Sequence, residues 1–254
     1  MKIIDAHMHL PVNFPSLCEK KNALLAEMKR NGVCRGIVIS DSEISSDIGS
    51  LEECAKLFDG CGDVNIIGGI SPFIDYAVQM KALEKYIAGG SIVGIKIYSG
   101  HEPVYPNDGR LEPVYEIAQR YDVPVLFHTG WNAPEYTSPE VIMKAAKAHA
   151  DVTVVCCHCC YPNLEECFGV LADCPNVYFD ISSLAEGGNS VKAALEKAIH
   201  ISPDRFIFGS DYGCCGQAEH IGFALSLNIS EYERERLMHG NAVKIYGIKF
   251  PQNS

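Results

Sequence analysis

Eight short apolar segments recur along the 254 residues, and each is followed by a stretch with helical character. The apolar segments are 2–10, 33–40, 64–70, 92–98, 124–129, 152–157, 177–181 and 206–209. Helical stretches are read at 17–29, 51–58, 77–88, 111–121, 139–149, 164–172, 191–200, 217–227 and 231–246. Strands this short and this apolar suit a parallel sheet buried on both faces. Eight strand–helix pairs predict an α/β fold, the (β/α)8 TIM barrel, as one domain over 1–254. An open doubly wound sheet is the alternative, but no Gly-rich phosphate turn follows the first segment. Ser138, just before Pro139, is predicted to cap the helix at 139–149.

The formal net charge is −11, with no basic cluster. That sets aside nucleic acid and an anionic membrane surface as partners. No apolar run reaches the length that spans a bilayer. Met1 leads straight into a strand without a basic and apolar leader, so a cytoplasmic location is expected. The 12 cysteines are then expected as reduced thiols, most of them small core residues.

In such a barrel, chemistry collects at the carboxyl ends of the strands. Asp5, His7 and His9 alternate with apolar residues in the first strand, so they are predicted to share one face. Two imidazoles so placed can grip one metal ion, although half-buried core histidines explain the pair equally well. Zinc takes three or four protein ligands, so the reading needs partners. Later strands supply candidates: Lys96 and Tyr98 with His101 just beyond, then His128, His158 and Asp211. Each follows a segment that should be buried, where an unpaired polar side chain is costly. His149 and His200 fall at helix ends, where a cation is favourable. His220 and His239 fall in expected surface helices.

The strings Asp5-Ala-His7-Met-His9, Gly94-Ile-Lys96-Ile, Pro124-Val-Leu-Phe-His128-Thr-Gly130, Gly209-Ser-Asp211-Tyr and Asn241-Ala-Val-Lys-Ile-Tyr-Gly-Ile span nearly the whole chain. In that order they resemble the amidohydrolase superfamily, in the amidohydrolase-related branch that includes aminocarboxymuconate-semialdehyde decarboxylase. The resemblance implies that His7, His9 and His128 are metal ligands. Asp211 would be a fourth ligand that also takes a proton from water, and His158 a catalytic neighbour. It implies one divalent ion. Imidazole and carboxylate ligands suit zinc, with manganese or iron as alternatives. In binuclear relatives a carbamylated lysine on the fourth strand bridges two ions. The reading preferred for Lys96 is contact with substrate or with an internal carboxylate.

Tyr98, His101 and Trp131 are further substrate-contact candidates, and Asp5 is expected to anchor the first strand or a histidine. The expected activity is metal-dependent hydrolysis of a small molecule: an amide, ester or lactone. Non-oxidative decarboxylation of an aromatic or unsaturated carboxylic acid is the second reading. The scarcity of arginine near the expected site weighs against it. A barrel that binds without catalysis is the third. Many barrels of this kind pair, so a homo-oligomer is expected. Cys156, Cys157, Cys159 and Cys160 around His158 are read as core packing, because thiols on an extended strand cannot converge without a sharp turn. Cys214 and Cys215, just after Asp211, are expected to line the pocket and have no assigned role.

Overall fold

Eight parallel strands form one sheet in chain order in the structure, a computed structural model that describes residues 1–43, 46–130 and 133–249. They are β1 (Ile4–Met8), β2 (Arg35–Ile39), β3 (Val64–Ile70), β4 (Ile92–Ile97), β5 (Val125–Phe127), β6 (Val154–Cys157), β7 (Val177–Asp180) and β8 (Phe206–Ile207). The seam between the ends is drawn together by Ala6 N–H, which donates to Phe208 O at 3.0 Å, and by a parallel bridge from Met8 to Tyr212. The helices between strands are α1 (Leu17–Arg30), α2 (Leu51–Leu57), α3 (Tyr76–Ala88), α4 (Glu112–Tyr121), α5 (Pro134–Thr137), α6 (Pro139–Ala148), α7 (Leu164–Val170) and α8 (Gly188–Ile201). After β8 come α9 (Gln217–Ser226), α10 (Glu231–Glu235) and α11 (Asn241–Tyr246). This is the expected (β/α)8 barrel. The stretch read as one helix over 231–246 is helical throughout, with a π turn at Arg236–Gly240 between α10 and α11. No helix among the described residues is long and apolar enough to cross a membrane.

Strand parity divides the core. Ile4, Ile37, Ile39, Ile67, Leu126, Val155 and Ile207 fill the barrel interior, where they meet Ala242, Ile245 and Tyr246 from α11. The alternate residues, such as Val38, Val125, Val154 and Cys156, pack outward under the helices. A period of two makes this division automatic wherever a strand is regular.

β1 is not regular, and this corrects the expectation that Asp5, His7 and His9 share a face. Asp5 pairs with Gly36 and Met8 with Val38, so β1 carries one residue more than β2 over this stretch. A bulge of this kind breaks the alternation. Asp5 therefore lies on the side of Met8: Gln217 Nε2 is 2.8 Å from Asp5 Oδ2 and 3.3 Å from Met8 Sδ. His7 and His9 turn instead to the cleft at the barrel mouth.

Helix starts follow the serine pattern at three places. Ser16 accepts from Glu19 N–H, and Ser50 and Ser230 each form a reciprocal capping box with a glutamate three residues on. Ser138 departs from expectation. It occupies the cap position of α6, but its side chain makes no cap hydrogen bond. Its backbone carbonyl serves the helix start instead, accepting from Val141 and Ile142 N–H.

Candidate active site

The carboxyl ends of β1 and β6, with the loops after β5, β7 and β8, converge on a cleft of about 980 Å³. That is the upper range for a small-molecule site. His7, His9, His128, His158 and Asp211 line it, as do Lys96, Tyr98 and His101. Trp131, expected on its wall, lies outside the described residues.

Ligand atoms of His7, His9 and Asp211 all lie within 4.8 Å of one another. His7 Nε2 is 3.5 Å from Asp211 Oδ1, and His9 Nε2 is 3.3 Å from the same oxygen. The other nitrogen of each ring is already engaged. His7 Nδ1 is 2.5 Å from Asp180 Oδ2, and His9 Nδ1 is 3.0 Å from Ile39 O. A carbonyl oxygen only accepts, so His9 carries its proton on Nδ1 and turns a lone pair on Nε2 inward. Anchoring the outer nitrogen is how proteins orient metal-binding imidazoles. The donor set, two nitrogens and a carboxylate, is chemically suited to a divalent transition ion. His128 lines the same cleft but is not one of these three. Its ring centroid is 5.0 Å from that of His158 and 4.3 Å from that of His101.

Electrostatics tie the trio together. Burial works against a charged His7, but the Asp180 carboxylate beside it outweighs that and raises its pKa to about 10. Asp211 pays a burial penalty too, yet its contact with the His9 ring and the field of His7 hold its carboxyl well below the ordinary value. Burial pushes His158 down to about 4 and His128 lower still, so both imidazoles are neutral at physiological pH. Asp211 itself sits at φ 61°, a left-handed conformation that costs a non-glycine residue energy. Such strain persists where the surroundings over-determine it. Here Asp211 N–H donates to His7 O at 2.8 Å, and Ser183 Oγ donates to Asp211 Oδ2 at 2.5 Å.

Asp180 and Ser182 were not singled out in the sequence, yet they organise the site. Asp180 ends β7, the position where the other strands carry their functional residues. Extending that strand to 181 places an isoleucine at its end and hides the aspartate. Asp180 Oδ1 accepts from Ser182 N–H at 2.9 Å, while Ser182 Oγ lies 3.1 Å from His7 Nδ1 and 2.9 Å from His158 Nδ1. Gly209 makes room for this cluster: a Cβ there would sit 2.6 Å from His7 Cβ and 2.8 Å from Asp180 Oδ1.

Other expected contacts are placed as follows. Lys96 Nζ donates to Cys157 Sγ at 3.0 Å and not to a carboxylate, which corrects that part of its reading. Tyr98 donates its hydroxyl to Ser40 O at 2.7 Å. His101 is exposed at the rim. Asp5 does anchor β1: it accepts from Ser210 N–H at 2.9 Å, Ser210 Oγ at 2.5 Å and Gln217 Nε2 at 2.8 Å. His220 is buried and lines the cleft, contrary to its expected surface position. α9 starts right after the Asp211 loop, so its first turn faces the site. Cys214 and Cys215 also line the cleft.

The amidohydrolase family model matches residues 49–248. The chain belongs to the amidohydrolase family. Membership makes this a metal-dependent enzyme of that superfamily. β1, with His7 and His9, lies outside the matched segment. A search of curated proteins by sequence found no match. Among solved structures, the chain is similar to an uncharacterized TIM-barrel protein from Bordetella bronchiseptica, with TM-score 0.81, 24% identity, and 97% of this chain and 99% of that one covered. It is similar to a dihydroorotase from Campylobacter jejuni, with TM-score 0.68, 20% identity, and 99% and 85% covered. It is also similar to a dihydroxybenzoic acid decarboxylase from Polaromonas sp. solved with bound manganese, with TM-score 0.66, 14% identity, and 97% of each chain covered. At these identities the likeness establishes the barrel, and the reaction has to be argued from the site.

Proposed function

We propose that the enzyme hydrolyses a small neutral or cationic molecule, an amide, ester or lactone, with the help of one divalent ion. The ion would be held by His7, His9 and Asp211, with His128, kept neutral by burial, as a further ligand. Zinc suits this donor set, and the manganese in the Polaromonas decarboxylase keeps that metal as an alternative. A divalent ion there supplies Lewis acidity and lowers the pKa of the water it carries.

The protein's own groups do the rest. Asp211 accepts the proton of the attacking water on its inner oxygen, while Ser183 holds the outer one in place. Ser182 holds the Nδ1 side of the His158 ring, with its Oγ at 2.9 Å and its carbonyl oxygen at 3.2 Å, so a neutral imidazole lines the cleft beside the attacking water.

The charge of the cleft wall carries the choice of reaction. Beyond Asp211, the described lining includes Asp41, Glu43, Glu102 and Glu186. Its only lysine, Lys96, is turned to Cys157, and no arginine belongs to it. Within the described lining, a substrate carboxylate awaiting removal as carbon dioxide would meet four acidic side chains and no arginine, with the ion as its counter-charge. The test is a substrate panel assayed with zinc- and manganese-loaded enzyme: amides, esters and lactones against aromatic and unsaturated carboxylic acids. Hydrolysis of a neutral or cationic member, abolished by Asp211→Asn, is expected. Carbon dioxide release without hydrolysis would overturn the proposal.

A further inference from the structure

The thiols of Cys156, Cys160 and Cys167 meet on the far side of β6 from the cleft. Cys156 points outward from that strand, whereas its neighbour Cys157 points inward to Lys96. Cys156 Sγ is 3.5 Å from Cys160 Sγ and 3.9 Å from Cys167 Sγ, and all three sulfurs lie within 4.8 Å of one another. All three residues are buried.

The sharp turn that thiols on an extended strand need in order to converge is present here. β6 ends at Cys157, and His158, Cys159 and Cys160 follow with φ 61°, 51° and 53°. Three successive left-handed residues fold the chain back sharply, so Cys160 returns beside Cys156. None of the three is glycine, so the turn is strained. Thr129 at the end of β5 clamps it: Cys160 N–H donates to Thr129 Oγ1 at 2.9 Å, and that oxygen lies 3.4 Å from Cys156 Sγ. The third sulfur comes from α7, the helix that packs on the turn.

We infer that Cys156, Cys160 and Cys167 form a second metal site, a buried three-thiolate centre for a thiophilic ion of the zinc(II) or copper(I) class. A metal–thiolate bond of about 2.3 Å puts neighbouring sulfurs about 3.8 Å apart at tetrahedral angles and about 4.0 Å apart in a trigonal plane. The two Cys156 separations bracket the lower of these values. Thiolate sulfur selects soft or borderline ions, whereas the nitrogen and oxygen set at the cleft does not. Binding releases the thiol protons to solvent, one per thiolate formed, with no change of oxidation state. The ion would tie the β6 turn to α7 and so brace the strained segment that carries His158. The inference does not depend on the proposed reaction, because the thiols face away from the cleft.

The experiment uses full-length protein kept reduced, in a Cys214→Ser/Cys215→Ser background that removes the cleft thiols. Zinc(II), copper(I) and, as an optical probe, cadmium(II) are titrated separately, and thiolate-to-metal charge-transfer absorption is followed. One equivalent with a thiolate band is expected. It should persist in His7→Ala/His9→Ala and in Cys174→Ser, a buried cysteine outside the cluster. In Cys167→Ser and Cys160→Ser the affinity should fall at least 100-fold. The zinc and copper arms identify the ion. Absence of any thiolate band in the parent protein overturns the inference, even if a cysteine variant fails to fold. An unchanged band in both cluster variants overturns it as well.

Discussion

Asp180→Asn is the sharpest probe of the proposed ion site in the cleft. The two oxygens of Asp180 have separate duties: Oδ2 meets His7 Nδ1 at 2.5 Å, and Oδ1 accepts Ser182 N–H at 2.9 Å. Asparagine has nearly the same shape but only one acceptor. If its oxygen serves Ser182, its NH2 group faces the Nδ1–H of His7, and two donors oppose each other. With an ion bound in place of the Nε2 proton, either His7 changes tautomer, which removes the lone pair from Nε2, or Ser182 loses its partner. Both His7 and Asp180 are buried, their side chains exposed by 1% and 3%, so water does not repair the loss. Removing the outer partner of a metal-binding imidazole typically costs 10- to 100-fold in affinity, about 1.4–2.7 kcal/mol. Zinc and manganese affinities of the metal-stripped protein, measured by competition with a fluorescent chelator, should fall by that factor. Circular dichroism should show an unchanged barrel. Affinity within twofold of the parent would refute the claim that Asp180 orients His7.

Three further outcomes follow from the same geometry. Gly209→Ala forces a methyl group against His7 and Asp180, so it should cost about 1–3 kcal/mol of stability in a denaturant titration and weaken metal binding together. Asp5→Ala leaves the Ser210 and Gln217 donors buried without their acceptor. A loss of about 3 kcal/mol is expected, which lowers the melting temperature by roughly 6–12 °C in calorimetry. Glu233 is held at about pKa 2 by His200, at 2.7 Å, and by Ser230 N–H. Its folded-state pKa lies below the ordinary 4.5, so its contribution is present above pH 4.5 and fades as pH falls towards 2. Glu233→Ala should therefore cost about 1 kcal/mol at pH 7, and the gap to the parent should narrow below pH 4.5.

The barrel is legible in the sequence because strand period and helix period alternate without interruption, and buried parallel strands have no polar side to blur them. Much of the cleft is legible for a related reason: His7, His9, His158 and Asp211 are polar residues at the ends of apolar strands. What escaped notice depends on backbone detail. The bulge in β1 sends Asp5 to Ser210 and Gln217, and no period-two pattern foretells an inserted residue. Asp180 is hidden because the apolar run continues one residue past it to Ile181. His220 is buried because α9 begins against the cleft, which the composition of that helix does not reveal. The thiol cluster depends on three residues in the left-handed region, a conformation that His158, Cys159 and Cys160 do not advertise. Thr129, which clamps that turn, comes from just beyond β5, a strand adjacent to β6 in space.

The carboxyl end of β1 and the loop after β8 are proposed to hold one catalytic divalent ion between them. Crystals grown with excess zinc or manganese, measured on either side of the metal's absorption edge, show whether they do. The expected result is an anomalous peak about 2.0–2.2 Å from His7 Nε2, His9 Nε2 and the Asp211 carboxylate. No peak at that position in metal-saturated crystals would rule the ion site out.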